Sequence, residues 1–324
     1  MGADTLRRGT RIMILCIGPT PALQRVMIFR NVVTNGVNRA IQTLDGAAGK
    51  SVNVAKVLKS FNEEPLATGF LGGDRGAALR AILQDRGIET DFVETNARTR
   101  QCVTVIDESS GTQTELVEES QSVSEADYET LANRVNNHLP ACRALVMSGT
   151  LTPGAPENFY FRCCQLAKNC NALSIVDARG LALKEALKAG PGLVKPNRSE
   201  LAGTIGHELT DEKSTILAIR ELSDHGAQRV VVTSGGEPAI AFDGRKVWRI
   251  RSPRVKVVNP IGSGDAFTAA LAWRLLRGDD LSEACRWGSA AGTANALSLM
   301  AGEVALNDAQ RLVGEVSVER VNLV

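Results

Sequence analysis

Two hydrophobic periods alternate along this chain. Uninterrupted apolar runs such as "RIMILCIG", "EPLATGFLG", "ALVMSG" and "LSIVD" read as strands buried on both faces. Between the first two, "SVNVAKVLKSF" repeats apolar positions at three- and four-residue spacing (Val54, Leu58, Phe61), which predicts a helix. After residue 120 the rhythm is regular. "SEADYETLANRVNNHL" predicts a helix with Ser124 as N-cap, "PENFYFRCCQLAKNC" a helix opened by Pro156, and "GLVKPN" another strand. Strands joined by helix-length connections build βαβ units. The expected fold is therefore α/β, a three-layer α/β/α core with a mainly parallel central sheet.

Two segments break the rhythm. Residues 22–45 hold an Asn-Gly turn between alternating apolar runs, and residues 100–118 repeat the pattern around "SSGTQ". Both predict antiparallel hairpins, and together they form a small β-sheet lid. The expected division is a disordered leader of residues 1–10, a core of 11–21, 46–99 and 119–324, and a discontinuous lid of 22–45 and 100–118. Each lid hairpin has one half-apolar face and too few residues for its own core, so the core or a partner subunit must cover it. A homodimer through the lid follows as an expectation.

A length of 324 residues suits an enzyme, and 37 Lys plus Arg against 36 Asp plus Glu leave a formal charge of +1. Such a chain has no long-range field for nucleic acid or an anionic membrane, so its ligands are expected to be small. Seven scattered cysteines without a C-x-x-C pair predict buried free thiols rather than disulfides or a zinc site. "IMILCIG" is too short for a signal peptide or a membrane span, and a cytoplasmic location is expected.

Gly49-Lys50-Ser51 invites a P-loop reading, which fails because Leu44 stands where the first glycine of that loop belongs. What remains is a run of small residues, Gly46 to Gly49, that delivers Lys50 and Asn53 to a helix start. A dinucleotide fingerprint fails at Phe267, and three distant histidines offer neither a metal cluster nor a catalytic triad. The strongest signal is "VVNPIGSGDAFTAALAWRLLRG". There a strand enters the tight turn Gly262-Ser263-Gly264 and a long helix leaves it with Asp265 in its first turn. Such a turn aims backbone N–H groups and the positive helix end at one point, as an oxyanion or a migrating phosphoryl group requires. Asp265 beside it is suited either to capping the helix or to acting as a general base.

Taken in order, "GAAGKSVNVAKVL", "GFLGGDRG", "MSGTL", "VKPNRSEL", "VVTSGGEPA" and "VVNPIGSGDAFTAA" resemble the ribokinase-like (PfkB-type) carbohydrate kinases over roughly residues 12 to 315. "ARTRQ" followed by "TELVE", with the run "VKPN", resembles the branch of 1-phosphofructokinase and tagatose-6-phosphate kinase. The resemblance implies ATP-dependent phosphoryl transfer to a sugar hydroxyl, with Asp265 as base and the N–H groups of Gly262, Ser263 and Gly264 as anion hole. It implies an acceptor side of Gln24, Gly49, Lys50, Asn53, Arg100 and Ser148, with Lys50 on the acceptor's phosphate. The nucleotide side becomes Lys195, Asn197, Ser234, Gly235, Gly236 and Asn295. Asn197 and Glu200 would order Mg2+ through water, with a monovalent cation as a further cofactor.

Two positions depart from that pattern. Gln24 stands where the family's first strand carries an Asp for sugar hydroxyls, and Ser51 replaces the second glycine of its Gly-Lys-Gly. The acceptor is accordingly either a ketohexose phosphate, fructose 1-phosphate or tagatose 6-phosphate, or an unphosphorylated sugar or nucleoside. Two cations, Lys50 and Arg100, favour the phosphorylated one. A silent sugar-phosphate sensor is the third reading, and it would have no use for Asp265.

Overall fold

The computed structural model describes residues 13–321. The leader expected at residues 1–10 lies outside them. Strand β1 (Met13–Gly18) runs into β2 (Ala22–Phe29) and β3 (Gln42–Ala48), followed by α1 (Lys50–Ser60), β4 (Glu64–Leu71) and α2 (Gly73–Asp85). Two short strands, β5 (Glu89–Thr90) and β6 (Val93–Glu94), precede β7 (Arg100–Asp107) and β8 (Thr112–Val117). Then come α3 (Glu125–His138), β9 (Ala144–Ser148), α4 (Phe159–Asn169), β10 (Leu173–Asp177), α5 (Gly180–Leu187) and β11 (Leu193–Val194). Next are α6 (Arg198–Ile205), α7 (Glu212–Asp224), β12 (Val230–Ser234), β13 (Glu237–Phe242) and β14 (Val247–Arg251). The chain finishes with α8 (Ser263–Leu275), α9 (Leu281–Ala296), α10 (Leu306–Val313) and β15 (Ser317–Val321).

The large sheet has the order β15-β14-β13-β12-β11-β10-β9-β1-β4-β5, with β6 also on β4. It is parallel from β12 to β5, and antiparallel through β13, β14 and β15. Strand β1 shows why the apolar runs are unbroken. Ile14 and Cys16 enter the layer under α1, α2, α8, α9 and α10, while Leu15 and Ile17 enter the layer under α3 to α7. Both faces are dry, so alternation has nothing to select. Cys16, Cys163, Cys164 and Cys285 are buried in these layers, and burial pushes all four thiols well up from their usual range.

Local signals explain most element ends. Ser124 caps α3 by accepting the Asp127 N–H at 3.2 Å. The start expected at Pro156 is three residues early: α4 begins at Phe159, because a turn closed by the Phe159 N–H on the Pro156 carbonyl comes first. Of "GLVKPN", Leu193 and Val194 form a strand and Asn197 adds a single parallel bridge to Thr233.

A second sheet of four strands has the order β3-β2-β7-β8. Its outer pairs are antiparallel hairpins, and the two hairpins join by parallel pairing of β2 with β7, Ala22 opposite Arg100. The Asn35-Gly36 turn, with Asn35 at φ 61°, lies within the long connection between Phe29 and Gln42 rather than closing the hairpin itself. Strand β3 runs three residues past 45, to Ala48, and so ends beside Gly49 at the start of α1. On its inner face Val26, Ile28 and Ile106 form a small apolar cluster, covered by Leu44, Leu299 and Met300.

Candidate active site

The carboxyl ends of β10, β11 and β12, the first turns of α1, α6 and α8, and the near end of the smaller sheet enclose a cleft of about 330 Å³. Carboxyl-end crevices are where open α/β sheets bind ligands. Gly262 makes the α8 entry feasible: its φ of 84° is left-handed, and a Cβ there would lie 2.8 Å from the Ala301 Cβ. Gly49 opens α1 in the same way at φ 106°, where a Cβ would meet the Pro21 Cα at 2.8 Å.

Asp265 is 6 % exposed and accepts a hydrogen bond from Asn53 Nδ2 at 2.7 Å. Burial raises its pKa, the neighbouring Asp177 adds to the rise, and Lys50, Asn53 and Lys195 pull against it, which leaves it at about 7. A carboxyl poised there can take and release a proton near neutral pH. Asp177 is the opposite case. Burial works against its charge, but Lys195 and Lys50 outweigh burial and hold its pKa at about 2. Lys195 Nζ lies 3.0 Å from Asp177 Oδ2, and the Thr268 hydroxyl donates to the same oxygen at 3.1 Å.

Lys50, expected on the acceptor's phosphate, turns its ammonium to Asp177 Oδ1 at 2.9 Å and Glu200 Oε1 at 2.8 Å. Burial disfavours its charge, but Asp177, Glu200 and Asp265 together hold its pKa well above the usual lysine range. Asn197 and Glu200 close a capping box on α6: Asn197 Oδ1 accepts the Glu200 N–H at 2.8 Å, and Glu200 Oε2 accepts the Asn197 N–H at 2.9 Å.

The smaller sheet brings Gln24 and Arg100 to the opposite wall. Gln24 is 1 % exposed, donates to the Thr104 hydroxyl at 3.2 Å, and keeps a buried Oε1 with no partner among the described residues. Arg100 Nε donates to the Thr20 carbonyl at 3.1 Å. Ser148 lies level with Asp177 across β9 and β10, and its buried hydroxyl also lacks a partner among the described residues. A second, wider groove of about 650 Å³ includes Ser234 and Gly235 and shares Asn197 and Thr233 with the cleft; Gly236 is the exposed residue that follows.

Lys195, expected on the nucleotide side, lines the cleft and not the groove, and Ser263 and Asn295 also sit differently from expectation. The Ser263 N–H is taken by the Pro260 carbonyl at 3.1 Å, so the turn's N–H groups without a backbone partner among the described residues are those of Gly262 and Gly264. Asn295 is fully buried behind the turn. Its Nδ2 donates to the Ile261 carbonyl at 2.8 Å and the Ser263 hydroxyl at 3.3 Å, and its Oδ1 accepts the Gly302 N–H at 2.8 Å. It braces the turn from within and does not face the groove.

Sequence reasoning missed Asp177, although a carboxylate ending a buried parallel strand, as in "LSIVD", is a usable signal. It also missed Glu115, which β8 brings to the cleft beside Arg100.

A buried carboxyl in the first turn of a helix, a glycine turn braced by Asn295 and a neighbouring groove lie together at the carboxyl ends of a ribokinase-like α/β/α fold. The chain belongs to the pfkB family of carbohydrate kinases, whose signature matches residues 12–306. It is 29 % identical over 313 residues to a tagatose-6-phosphate kinase of Staphylococcus epidermidis, covering 96 % of this chain and 100 % of that one. It is 30 % identical over 310 residues to a 1-phosphofructokinase of Borreliella burgdorferi, covering 95 % and 99 %. Among solved structures, phosphofructokinase-2 from Escherichia coli in complex with potassium superposes with a TM-score of 0.85 at 29 % identity, covering 94 % and 98 %. The protein is a carbohydrate kinase. Among the described residues no helix is long and apolar enough to cross a membrane.

Proposed function

We propose that this kinase transfers the γ-phosphoryl group of ATP to a hydroxyl of a ketohexose phosphate, fructose 1-phosphate or tagatose 6-phosphate. The observation that carries this reading is the Asp265 carboxyl, hydrogen-bonded by Asn53 and raised by burial to a pKa of about 7, in a cleft whose far wall carries Arg100. Asp265 takes the hydroxyl proton as the new O–P bond forms and the bond to ADP breaks. The N–H groups of Gly262 and Gly264 face the oxygens of the phosphoryl group in transfer. Arg100 holds the acceptor's own phosphate, and Gln24 Oε1 accepts from one of its hydroxyls. Lys50, committed to Asp177 and Glu200, stands between the two substrates.

The nucleotide occupies the wider groove along Asn197, Ser234 and Gly235. Asp177, Glu200 and Asn197, whose oxygens already accept from Lys50, Lys195 and the α6 cap, would hold Mg2+ through water where the groove meets the cleft. The ion would supply neutralisation of the donor phosphates' charge. The smaller sheet acts as a lid, residues 22–45 and 100–118, that excludes water. Val33 at 52 %, Val37 at 83 % and Leu116 at 57 % exposure support its pairing with a second copy as a homodimer. The buried free thiols support a reducing, cytoplasmic location.

A coupled assay of ADP release with ATP-Mg2+ against ketohexose phosphates and free sugars tests the reading. Turnover of the phosphates supports it, and turnover of free sugars or nucleosides alone overturns it. Sedimentation at micromolar concentration tests the dimer.

A further inference from the structure

Lys56 on α1 is 3 % exposed, an uncommon place for a lysine. Its ammonium donates to the Ala301 carbonyl at 2.6 Å and the Ala47 carbonyl at 3.1 Å, and it pairs with Glu303 at 3.1 Å. Ala47 belongs to β3 of the smaller sheet. Ala301 belongs to residues 297–303 of the connection between α9 and α10, and this segment touches both halves of the site. Leu299 and Met300 pack on the sheet's apolar cluster of Val26, Ile28 and Ile106. Ala301 fills the space that a side chain on Gly262 would need, and the Leu299 carbonyl accepts from Asn259 Nδ2 at 2.8 Å. Gly302 packs on Asn53, the residue that orients Asp265, at a distance that would put a Cβ 3.0 Å from the Asn53 Cα.

We propose that Lys56 is a positioning residue that ties the smaller sheet to the catalytic turn, so that closure over the acceptor is carried through residues 297–303 to Gly262 and Asp265. This rests on the kinase reading above. The physical basis is the number of donors: one ammonium serves two buried carbonyl oxygens from elements far apart in sequence, plus a carboxylate. Small residues at Ala47, Ala301 and Gly302 leave little slack in the chain of contacts. Without the ammonium, both carbonyls lose their donor and the two elements can move independently. Lys56 is not among the residues that line the cleft, so its effect must appear in how the turn is held.

Lys56→Met keeps the length and removes the donors. In steady-state assays, kcat is expected to fall about tenfold or more while KM for each substrate stays within roughly threefold. Hydrogen exchange supplies the second readout. In the wild-type chain the amides of 42–48 and 299–303 are expected to slow together when the sugar phosphate binds, whereas in Lys56→Met only 42–48 responds. Met300→Ala, which cuts the apolar contact between the same elements and spares the buried lysine, should give the same split if Lys56→Met fails to fold. Unchanged kcat in a folded Lys56→Met, or both segments still responding together, overturns the tie. A wild-type enzyme that turns over no ketohexose phosphate overturns the functional reading instead. In that case independent exchange of the two segments in ligand-free wild type would overturn the tie as well, and concerted exchange lost in Lys56→Met would support it.

Discussion

Helices α1 and α8 begin alike and are used in opposite ways. Each starts at a glycine of positive φ, Gly49 or Gly262, and neither has a side-chain cap, whereas Ser124, Asn197, Asp211 and Asp280 cap α3, α6, α7 and α9. Omitting the cap leaves first-turn N–H groups available to a ligand. Yet α1 places a cation in its first turn, against its own dipole, and α8 places a carboxylate, with its dipole. The dipole does not decide the outcome. Lys50 is held charged by the carboxylates around it, and Asp265 is pushed toward neutrality by burial. What a helix start can do depends on which charges the rest of the fold brings to it.

The widest break in this comparison is Asp265→Asn, which should lower kcat by about 10²–10⁴, the range for losing a positioned base, while keeping the fold. The same variant tests the pKa through stability. Asp265 titrates at about 7 in the folded chain and at about 3.9 when unfolded, so between those values the native state binds more protons and wild-type stability falls as pH rises. Asn has no such dependence. The Tm of Asp265→Asn relative to wild type should therefore be higher at pH 8 than at pH 4, and the reverse order would show that the carboxyl is not raised.

Arg100→Ala comes next, with a loss of about 1.5–3 kcal/mol in acceptor binding for a charge-assisted contact. It should be read as a raised KM for the sugar phosphate, and an equal rise for ATP would move Arg100 to the nucleotide. Gly49→Ala should cost about 1–3 kcal/mol of stability in thermal or denaturant melts, since both its φ and the Pro21 backbone oppose a Cβ. A neutral effect would mean that the α1 entry is less constrained than that of α8. The smallest change is expected from Lys50→Met: by removing the cation that most lowers the Asp265 pKa, it should move the acid limb of the kcat/KM profile upward by about one pH unit. A fixed limb would uncouple the two helix starts.

The layered core was legible because strands such as β1 are apolar on both faces, and the α8 turn because its signal lies within one short stretch. The surroundings of Lys50 were not. Its partners Asp177 and Glu200 are 127 and 150 positions away, and no local pattern says that the ends of β10 and α6 converge on α1. The supporting place of Asn295 was hidden for the same reason: its partners are set by the path of residues 297–303, which has no periodicity to read. In the smaller sheet the hairpins were legible from alternation. Their parallel joining, which sets Ala22 opposite Arg100 and so brings Gln24 near Arg100, depends on a register that neither hairpin encodes alone.

The buried thiols give the protein a built-in clock. Alkylation needs a thiolate that solvent can reach, so Cys16 and Cys285 in one layer and Cys163 and Cys164 in the other stay silent until their own layer opens. Cys102 is buried too, at 6 % exposure, but it sits on β7 at the wall of the cleft and outside both layers. A labelling time course followed by peptide mapping would thus separate breathing of the site from melting of either layer. An occupant of the cleft should slow the first and leave the early course of the others unchanged.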